Sequence, residues 1–125
     1  MIDSDRRDAR DELIDAYLEA VDAHEYDRYR DLFAEDVTYS AMGETVHGID
    51  AMIEWYEAFI GTADIYHDYP NRIHTDEPSI AHGEFGKLDG PDGGFTSRGL
   101  DIFEFDEDET EMTKLVVYTD LPPDI

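Results

Sequence analysis

The chain has 125 residues, of which 33 are acidic and 9 are basic, and it contains no cysteine. The length predicts one domain, residues 1–125, which is long enough to bury a core without disulfides or a structural metal. The formal net charge of -24 makes nucleic acid a poor partner and excludes anionic membranes, and the lack of cysteine excludes disulfides, zinc–thiolate sites and thiol nucleophiles.

The acidic residues are spread along the chain instead of being gathered in runs, and lysine occurs only at Lys87 and Lys114. This composition resembles that of proteins from salt-accumulating halophiles, where molar salt shortens the range of like-charge repulsion to about 3 Å. The alternative is an acidic interaction domain, but such domains keep their charge in runs and carry few aromatic residues. The sequence shows neither the apolar core of a signal peptide nor the length of a membrane helix, so we expect a cytoplasmic protein.

In the first half of the chain, hydrophobic spacing predicts three helices, Asp5 to His24, Arg28 to Ala34 and Ile49 to Ile60. We expect Ser4 and Asp27 to cap the first two helices, because their side-chain oxygens can accept a hydrogen bond from a first-turn amide. A strand over Val37 to Ala41 is predicted between the second and third helices, and Gly43 turns the chain after it.

The second half is predicted to consist of four antiparallel strands, Asp64 to Thr75, Ile80 to Lys87, Phe95 to Phe105 and Met112 to Asp120. Pro70 interrupts the first of these strands, and Asp106 to Glu111 is predicted to be a solvated hairpin turn. Three helices with one strand, followed by four antiparallel strands, predict an α+β fold in which a curved sheet wraps around a helix. We expect the ends, about 1–4 and 122–125, to be flexible.

One acidic residue breaks the apolar face of the longest predicted strand. Side chains alternate in direction along a strand, so Asp101 shares a face with Phe95, Phe103 and Phe105. If this face points inward, desolvation raises the pKa of the Asp101 carboxyl unless a partner holds its charge. A carboxyl group in that state suits acid–base chemistry near neutral pH, whereas the structural alternative is a carboxylate bound to a backbone amide or a basic group.

Four segments of the sequence resemble those of a known family. They are YLEAVDAHEYDRYRDLFAEDVTY, VHGIDAMIEWYEAF, RGLDIFEFDEDE and LVVYTDLPP. With these motifs the chain resembles the SnoaL-like branch of the nuclear transport factor 2-like superfamily, which includes polyketide cyclases and ketosteroid isomerases. The resemblance covers Glu12 to Pro122, and it implies a cone in which a curved antiparallel sheet wraps around three N-terminal helices and leaves a cavity at the open end.

The resemblance also implies roles for two residues. Asp101 and Tyr17 fall where the isomerases keep an aspartate and a tyrosine that stabilise a developing oxyanion, so they are the expected acid and its partner. The isomerase base belongs at Ala41, whose side chain cannot abstract a proton. The chain therefore departs from steroid-isomerase chemistry by that route.

Histidine is the expected substitute for the missing base, because its side chain titrates near neutral pH. In a regular strand His67 and Asn71 face the same way, since they are four residues apart. A turn centred on Glu77-Pro78 places His82 opposite Ile73, on the same face as His67. Both histidines are therefore candidate bases.

Six residues are expected to bind substrate in the cavity: Tyr39, Met52, Trp55, Phe59, Asn71 and Phe103. We expect no cofactor and no metal, because His74 is odd-spaced from His67 and faces the other way in a regular strand. The favoured function is a cofactor-independent isomerase, cyclase, dehydratase or hydrolase that uses acid–base catalysis on a small apolar or cyclic molecule. The alternatives are a non-catalytic binding domain with the same cavity and a dimerisation module with a filled interior.

The resemblance finally implies a homodimer. Members of the superfamily usually pair through the outer face of the sheet. In this chain that face offers Arg98, Leu100, Ile102, Val116 and Tyr118.

Overall fold

Helices and one sheet make up the computed structural model, which describes residues 2–89 and 94–119. The helical segments are α1 (Ser4–Asp22), a 3₁₀ helix (Tyr26–Asp31) and α2 (Ile49–Phe59). The strands are β1 (Phe33–Ala41), β2 (Glu44–His47), β3 (Ile65–His74), β4 (Ser79–Lys87), β5 (Phe95–Phe105) and β6 (Met112–Thr119). These elements confirm the predicted α+β fold. The predicted flexible end at 122–125 lies outside the described residues, whereas Ile2 at the other end is buried.

The strands form one open, curved sheet in the order β2-β1-β6-β5-β4-β3. Neighbouring strands are antiparallel except β1 and β6, which run parallel. The helices pack against one face of the sheet, which we call the inner face. The opposite side, the outer face, carries a set of apolar side chains: Ile73, Ile80, Leu100, Ile102, Val116 and Tyr118.

Helix α1 begins and ends close to its predicted bounds. Its N-terminal cap is Asp3 instead of the predicted Ser4, and the Asp3 carboxylate accepts a hydrogen bond from the Arg6 amide at 2.9 Å. The helix ends at Asp22 because His24 adopts a left-handed backbone conformation with φ 59°. Among the described ranges, no helix combines the length and hydropathy that a membrane span requires.

The region between α1 and α2 differs most from prediction. The expected second α-helix is a 3₁₀ helix that starts at Tyr26, so Asp27 lies within it and does not cap it. Strand β2 was not predicted, because it has only four residues and is mostly exposed. A two-residue turn with positive φ at Met42 and Gly43 connects it to β1.

Strand β3 is an edge strand with a bulge around Pro70. An edge position tolerates proline, because no neighbouring strand needs its missing N–H. The bulge adds a residue and so reverses the direction of the side chains that follow. His82 lies opposite Asn71 instead of Ile73, because the turn to β4 is centred on Asp76-Glu77 and not on Glu77-Pro78. Because of the bulge, Asn71 points to the outer face, as its partner His82 does, whereas His67 points to the inner face. The prediction that they share a face with His67 is wrong.

Beyond the bulge, β3 turns two basic side chains toward α1. The Arg72 guanidinium donates hydrogen bonds to Asp11 at 3.0 Å and to Asp15 at 2.6 Å. His74 Nε2 lies 3.0 Å from the same Asp11 carboxylate. The prediction that His74 faces away from His67 is therefore also wrong, for the same reason.

Two glycines make room for the bulged part of β3. Gly83 and Gly99 are paired across β4 and β5 on the inner face. A Cβ atom at Gly99 would overlap the Tyr69 hydroxyl, and one at Gly83 would overlap the backbone carbonyl of Asp68. The absence of both side chains lets the Tyr69 ring lie across the inner face.

At one end of the sheet, the buried Arg10 links α1 through hydrogen bonds to the turn between β3 and β4 and to the turn between β5 and β6. The side chain is 2% exposed, and its guanidinium donates to the Thr75 carbonyl at 2.7 Å, to Ser79 Oγ at 2.9 Å and to Glu109 Oε1 at 2.9 Å. Arg6 donates to the same Glu109 oxygen at 2.6 Å. Glu109 is thus nearly buried in an ion pair, which corrects the prediction of a solvated turn at this residue.

Candidate active site

A cavity of about 820 Å³ lies between the inner face of the sheet and the helices. Small-molecule sites occupy roughly 300–1,000 Å³, so the cavity has the size of a ligand site. At its open end, the mouth, Met42 and Phe59 are exposed, whereas at its inner end Tyr17 and Asp101 are buried. This cavity contradicts the filled interior that a pure dimerisation module predicted.

Asp101 projects from β5 into the inner end of the cavity, and it is 1% exposed. Its burial on the same face as Phe103 confirms the prediction from strand alternation. The Oδ1 atom has no hydrogen-bond partner among the described residues. Burial raises the pKa of Asp101 to about 7, while the nearby His67 opposes the rise. Near neutral pH the carboxyl is therefore available in both its protonated and its ionised form.

Tyrosine hydroxyls surround this carboxyl. Tyr17 and Tyr56 are hydrogen-bonded through their hydroxyls, and Tyr39 and Tyr69 also line the cavity. Burial raises the pKa of all four phenols, and the charge of Asp101 adds to the rise for Tyr17, Tyr39 and Tyr69. These side chains consequently stay protonated and act as neutral hydrogen-bond donors at physiological pH.

His67 lies on β3 in the wall of the cavity and is held by Asp22, the last residue of α1. Its ring Nδ1 lies 2.6 Å from Asp22 Oδ1, and its backbone N–H donates to Asp22 Oδ2 at 2.9 Å. Because a carboxylate only accepts hydrogen bonds, this pairing assigns the ring proton to Nδ1. The Nε2 atom of the neutral ring is then free to accept a proton.

His67 and Tyr69 also line a second depression of about 350 Å³ on the outside of the fold. This outer groove lies between α1 and β3, and its acidic lining residues are Asp15, Glu19, Asp22 and Asp68. The Asp22 side chain is 28% exposed. His67 therefore borders both the cavity and the outer groove.

Of the six predicted substrate-binding residues, three line the cavity and three do not. Tyr39, Trp55 and Phe59 line the cavity. Met52 and Phe103 are fully buried in the core and do not line it. Met52 lies on the core-facing side of α2, and Phe103 packs under the Tyr17 ring with 5.7 Å between the ring centroids.

The two remaining predicted site residues lie outside the cavity. His82 Nδ1 is 3.2 Å from the Asn71 side-chain nitrogen on the outer face. The bulge at Pro70 reverses the direction of Asn71 relative to His67, and His82 points outward because it alternates with Ala81, the inner-face partner of Asp101. His82 as a base and Asn71 as a binding residue are therefore corrected, and His67 is the histidine that faces the cavity.

Two further residues with a place in this site were not anticipated from sequence, Asp22 and Lys87. An acidic residue in the last turn of a helix is unfavourable, because it lies at the negative end of the helix dipole. The position of Asp22 therefore indicated that a group outside the helix stabilises its charge. Lys87 lies two residues after Phe85 and so shares its strand face. From this shared strand face, the sequence could have predicted that Lys87 lines the cavity.

Comparisons with known proteins agree with this architecture. A model of the SnoaL-like domain family matches residues 14–110. A SnoaL-like protein from Shewanella denitrificans assigned as a polyketide cyclase is 13% identical with a TM-score of 0.77, over 89% of this chain and 90% of that chain. An NTF2-like protein of unknown function from Exiguobacterium is 24% identical with a TM-score of 0.75, over 88% and 99% of the two chains.

A third solved structure, from Xanthomonas campestris and also assigned as a polyketide cyclase, is 16% identical with a TM-score of 0.75. The match covers 92% of this chain and 93% of that chain. No curated protein sequence matches the chain. At such low identities, the similarity to solved structures shows the fold alone.

Proposed function

The chain belongs to the SnoaL-like domain family, and from this premise we propose that it is a cofactor-independent enzyme for acid–base chemistry on a small apolar or cyclic molecule. The observation that carries the proposal is the buried Asp101 carboxyl, whose Oδ1 has no partner among the described residues, in a cavity that His67 also lines. A buried carboxyl without a partner costs folding free energy, and groups of this kind are concentrated at functional sites.

His67 is the general base of this proposal. Its Nε2 atom takes a proton from a carbon next to a carbonyl group, which leaves an enolate on the ligand. The Asp22 carboxylate supports this step, because it fixes the ring orientation and stabilises the imidazolium that forms.

Asp101 is the acid, and Tyr17 is a second donor. In its protonated form, Asp101 donates a hydrogen bond to the carbonyl oxygen as negative charge develops there. When Tyr56 donates to Tyr17, the proton of Tyr17 is free to point at the same oxygen. Each donor of this kind typically contributes about 10²–10³ in rate.

The same groups support two types of reaction without an oxidant or a reductant. In an isomerisation, His67 returns the proton to a different carbon of the enolate. In a ring closure, the enolate carbon bonds to a second carbonyl carbon, and Asp101 gives its proton to the new alkoxide. We include ring closure because two structural neighbours are assigned as polyketide cyclases.

The proposal is tested by measuring proton abstraction directly. The protein is incubated in D₂O with 2-tetralone and a panel of other one- and two-ring ketones, and NMR follows the loss of the α-proton signals. We expect the wild type to accelerate this exchange, and Asp101→Asn and His67→Gln each to reduce the acceleration by about 100-fold or more. Asp68→Asn, at an exposed carboxylate of the outer groove, is the matched control and should retain the activity.

The outcomes separate the two alternatives left open by the sequence. Ketones that bind, seen as shifted protein signals, but exchange at the rate of the buffer would contradict an enzyme and favour a binding domain. Exchange that neither Asp101→Asn nor His67→Gln reduces would contradict the assigned residues.

A further inference from the structure

Lys87 is the basic residue of the cavity. All nine lysines and arginines lie within the described ranges, and of these only Lys87 belongs to the cavity lining. Its neighbours across the sheet, Ile65 on β3 and Phe95 on β5, line the cavity as well. Strand pairing places Lys87 at the same end of the sheet as the end of β1, which precedes Met42, so Lys87 lies on the side of the mouth.

A cationic side chain in the cavity lining contrasts with the strongly acidic composition of the chain. The net charge of -24 repels anions, so a cation in the lining creates a local exception. Lys87 forms no ion pair with a carboxylate of the described residues, whereas Lys114 on the outer face lies 3.8 Å from Glu104. The acidic lining residue nearby in sequence, Asp89, accepts a hydrogen bond from the Asp64 amide at 3.2 Å.

Lys87 and the inner end of the cavity are far apart. Ala81 is the β4 residue paired with Asp101, and about 20 Å of strand separates it from Lys87. The flexible lysine side chain shortens this distance when it folds back over the lining. Aromatic rings, including those of Trp55 and Phe85, line the space between. A ligand that reaches both ends is therefore elongated and largely apolar.

We propose that the cavity selects elongated amphipathic anions, in which an aromatic or cyclic body carries a carboxylate-like group that pairs with Lys87 at the mouth. The body packs against the aromatic lining, and burial of its apolar surface supplies most of the affinity. The ammonium group adds a charge-assisted contact that a neutral analogue lacks. That the other end of the ligand reacts at His67 depends on the proposed function, whereas the recognition of the anionic group depends only on Lys87.

Two dyes with the same aromatic body test this selection. 8-Anilinonaphthalene-1-sulfonate carries an anionic group, and N-phenyl-1-naphthylamine is its neutral counterpart. Trp55 is the only tryptophan of the chain and lines the cavity, so energy transfer from its indole reports a dye bound to the protein near it, and the response to Lys87→Met locates that dye at the cavity. Titrations in 0.5 M KCl, where the Debye length is roughly 4 Å, suppress diffuse repulsion by the net charge.

We expect Lys87→Met to weaken binding of the sulfonate dye by about 5- to 10-fold and to change binding of the neutral dye by less than about 2-fold. Lys87→Arg should restore binding of the sulfonate dye, and Lys114→Met, the matched control, should change neither dye. Equal changes for both dyes, or none for the sulfonate dye, would overturn the proposal for Lys87 and leave the proposed acid–base chemistry intact. If neither dye takes energy from Trp55 in the wild type, the proposal for Lys87 is overturned, whereas the proposed function is judged separately by the exchange of the ketone α-protons.

Discussion

The burial of Asp101 predicts a pH-dependent stability. Its pKa is raised from 3.8 to about 7 in the folded protein, so its contribution to the free energy of unfolding falls as the pH rises through this window. The full effect above pH 7 is at most about 4 kcal/mol. We therefore expect Asp101→Asn to be more stable than the wild type by about 1–3 kcal/mol at pH 8, because it removes the buried charge.

Urea unfolding at pH 4 and pH 8 measures this effect. At pH 4 the folded Asp101 is protonated, so the advantage of the variant should shrink to a small fraction of its value at pH 8. Asp68→Asn is the control, because this exposed carboxylate should show no comparable change. A difference between wild type and Asp101→Asn that is the same at both pH values would contradict the raised pKa.

Asp101 and His67 differ in how much of their surroundings could be predicted from the sequence. The alternation of side chains around Asp101 predicted a carboxyl in an apolar interior, and the structure confirms its burial. The partner of His67 could not be predicted, because Asp22 is 45 residues away and the contact depends on how α1 packs against β3. Spacing within one strand contains no information about such a distant partner.

At the scale of elements, the sequence predicts regular segments well and irregular ones poorly. The periodicity that predicts α1 and α2 extends over several turns, and their observed bounds lie within two residues of the expected ones. The bulge at Pro70 adds a residue to β3, and this shift places Asn71 and its partner His82 on the opposite face from His67. Proline marks such a position, but its presence alone does not distinguish a bulge from a break in the strand.

The packing of the bulged strand predicts the effect of one added methyl group. Gly99→Ala places a Cβ where the Tyr69 hydroxyl lies, so we expect it to lower the free energy of unfolding by about 1–3 kcal/mol. Tyr69→Phe removes that hydroxyl and should recover part of the loss when combined with Gly99→Ala. Urea unfolding of the two single variants and the double variant gives the coupling between the sites. Strictly additive effects would show that the two residues do not compete for this space.

At the scale of the whole molecule, the outer face of the sheet carries a patch of apolar side chains, although the chain is strongly acidic. Tyr118 is 59% exposed and Ile73 is 58% exposed on this face. We propose that two copies pair through it, because apolar contact there does not require two acidic surfaces to meet. Light scattering should give twice the chain mass of 14.3 kDa for the wild type and the single mass for Leu100→Glu.

Phe59→Glu provides the matched control for this pairing. Phe59 is also exposed, but it lies at the mouth of the cavity and not on the outer face. The variant should therefore remain a dimer. Identical masses for the wild type and Leu100→Glu would remove the support for a dimer through this face.

The net charge of -24 predicts a stability that depends on salt. Salt screens repulsion among the carboxylates, so we expect the Tm to rise by on the order of 10 °C between 0.1 and 2 M KCl. A variant with three exposed acids neutralised, E12Q/E35Q/E54Q, should show a smaller rise because it has less repulsion to screen. A Tm that does not respond to KCl would count against adaptation to high salt.

The position of His67 between the cavity and the outer groove has a consequence for turnover. Under the proposed function, a ligand that fills the mouth would block proton exchange between water and the inner end from that side. The imidazole contacts Asp22, whose carboxylate also lines the outer groove. A protonated His67 would then return its proton to bulk solvent through Asp22, on the side of the ring that faces away from the ligand.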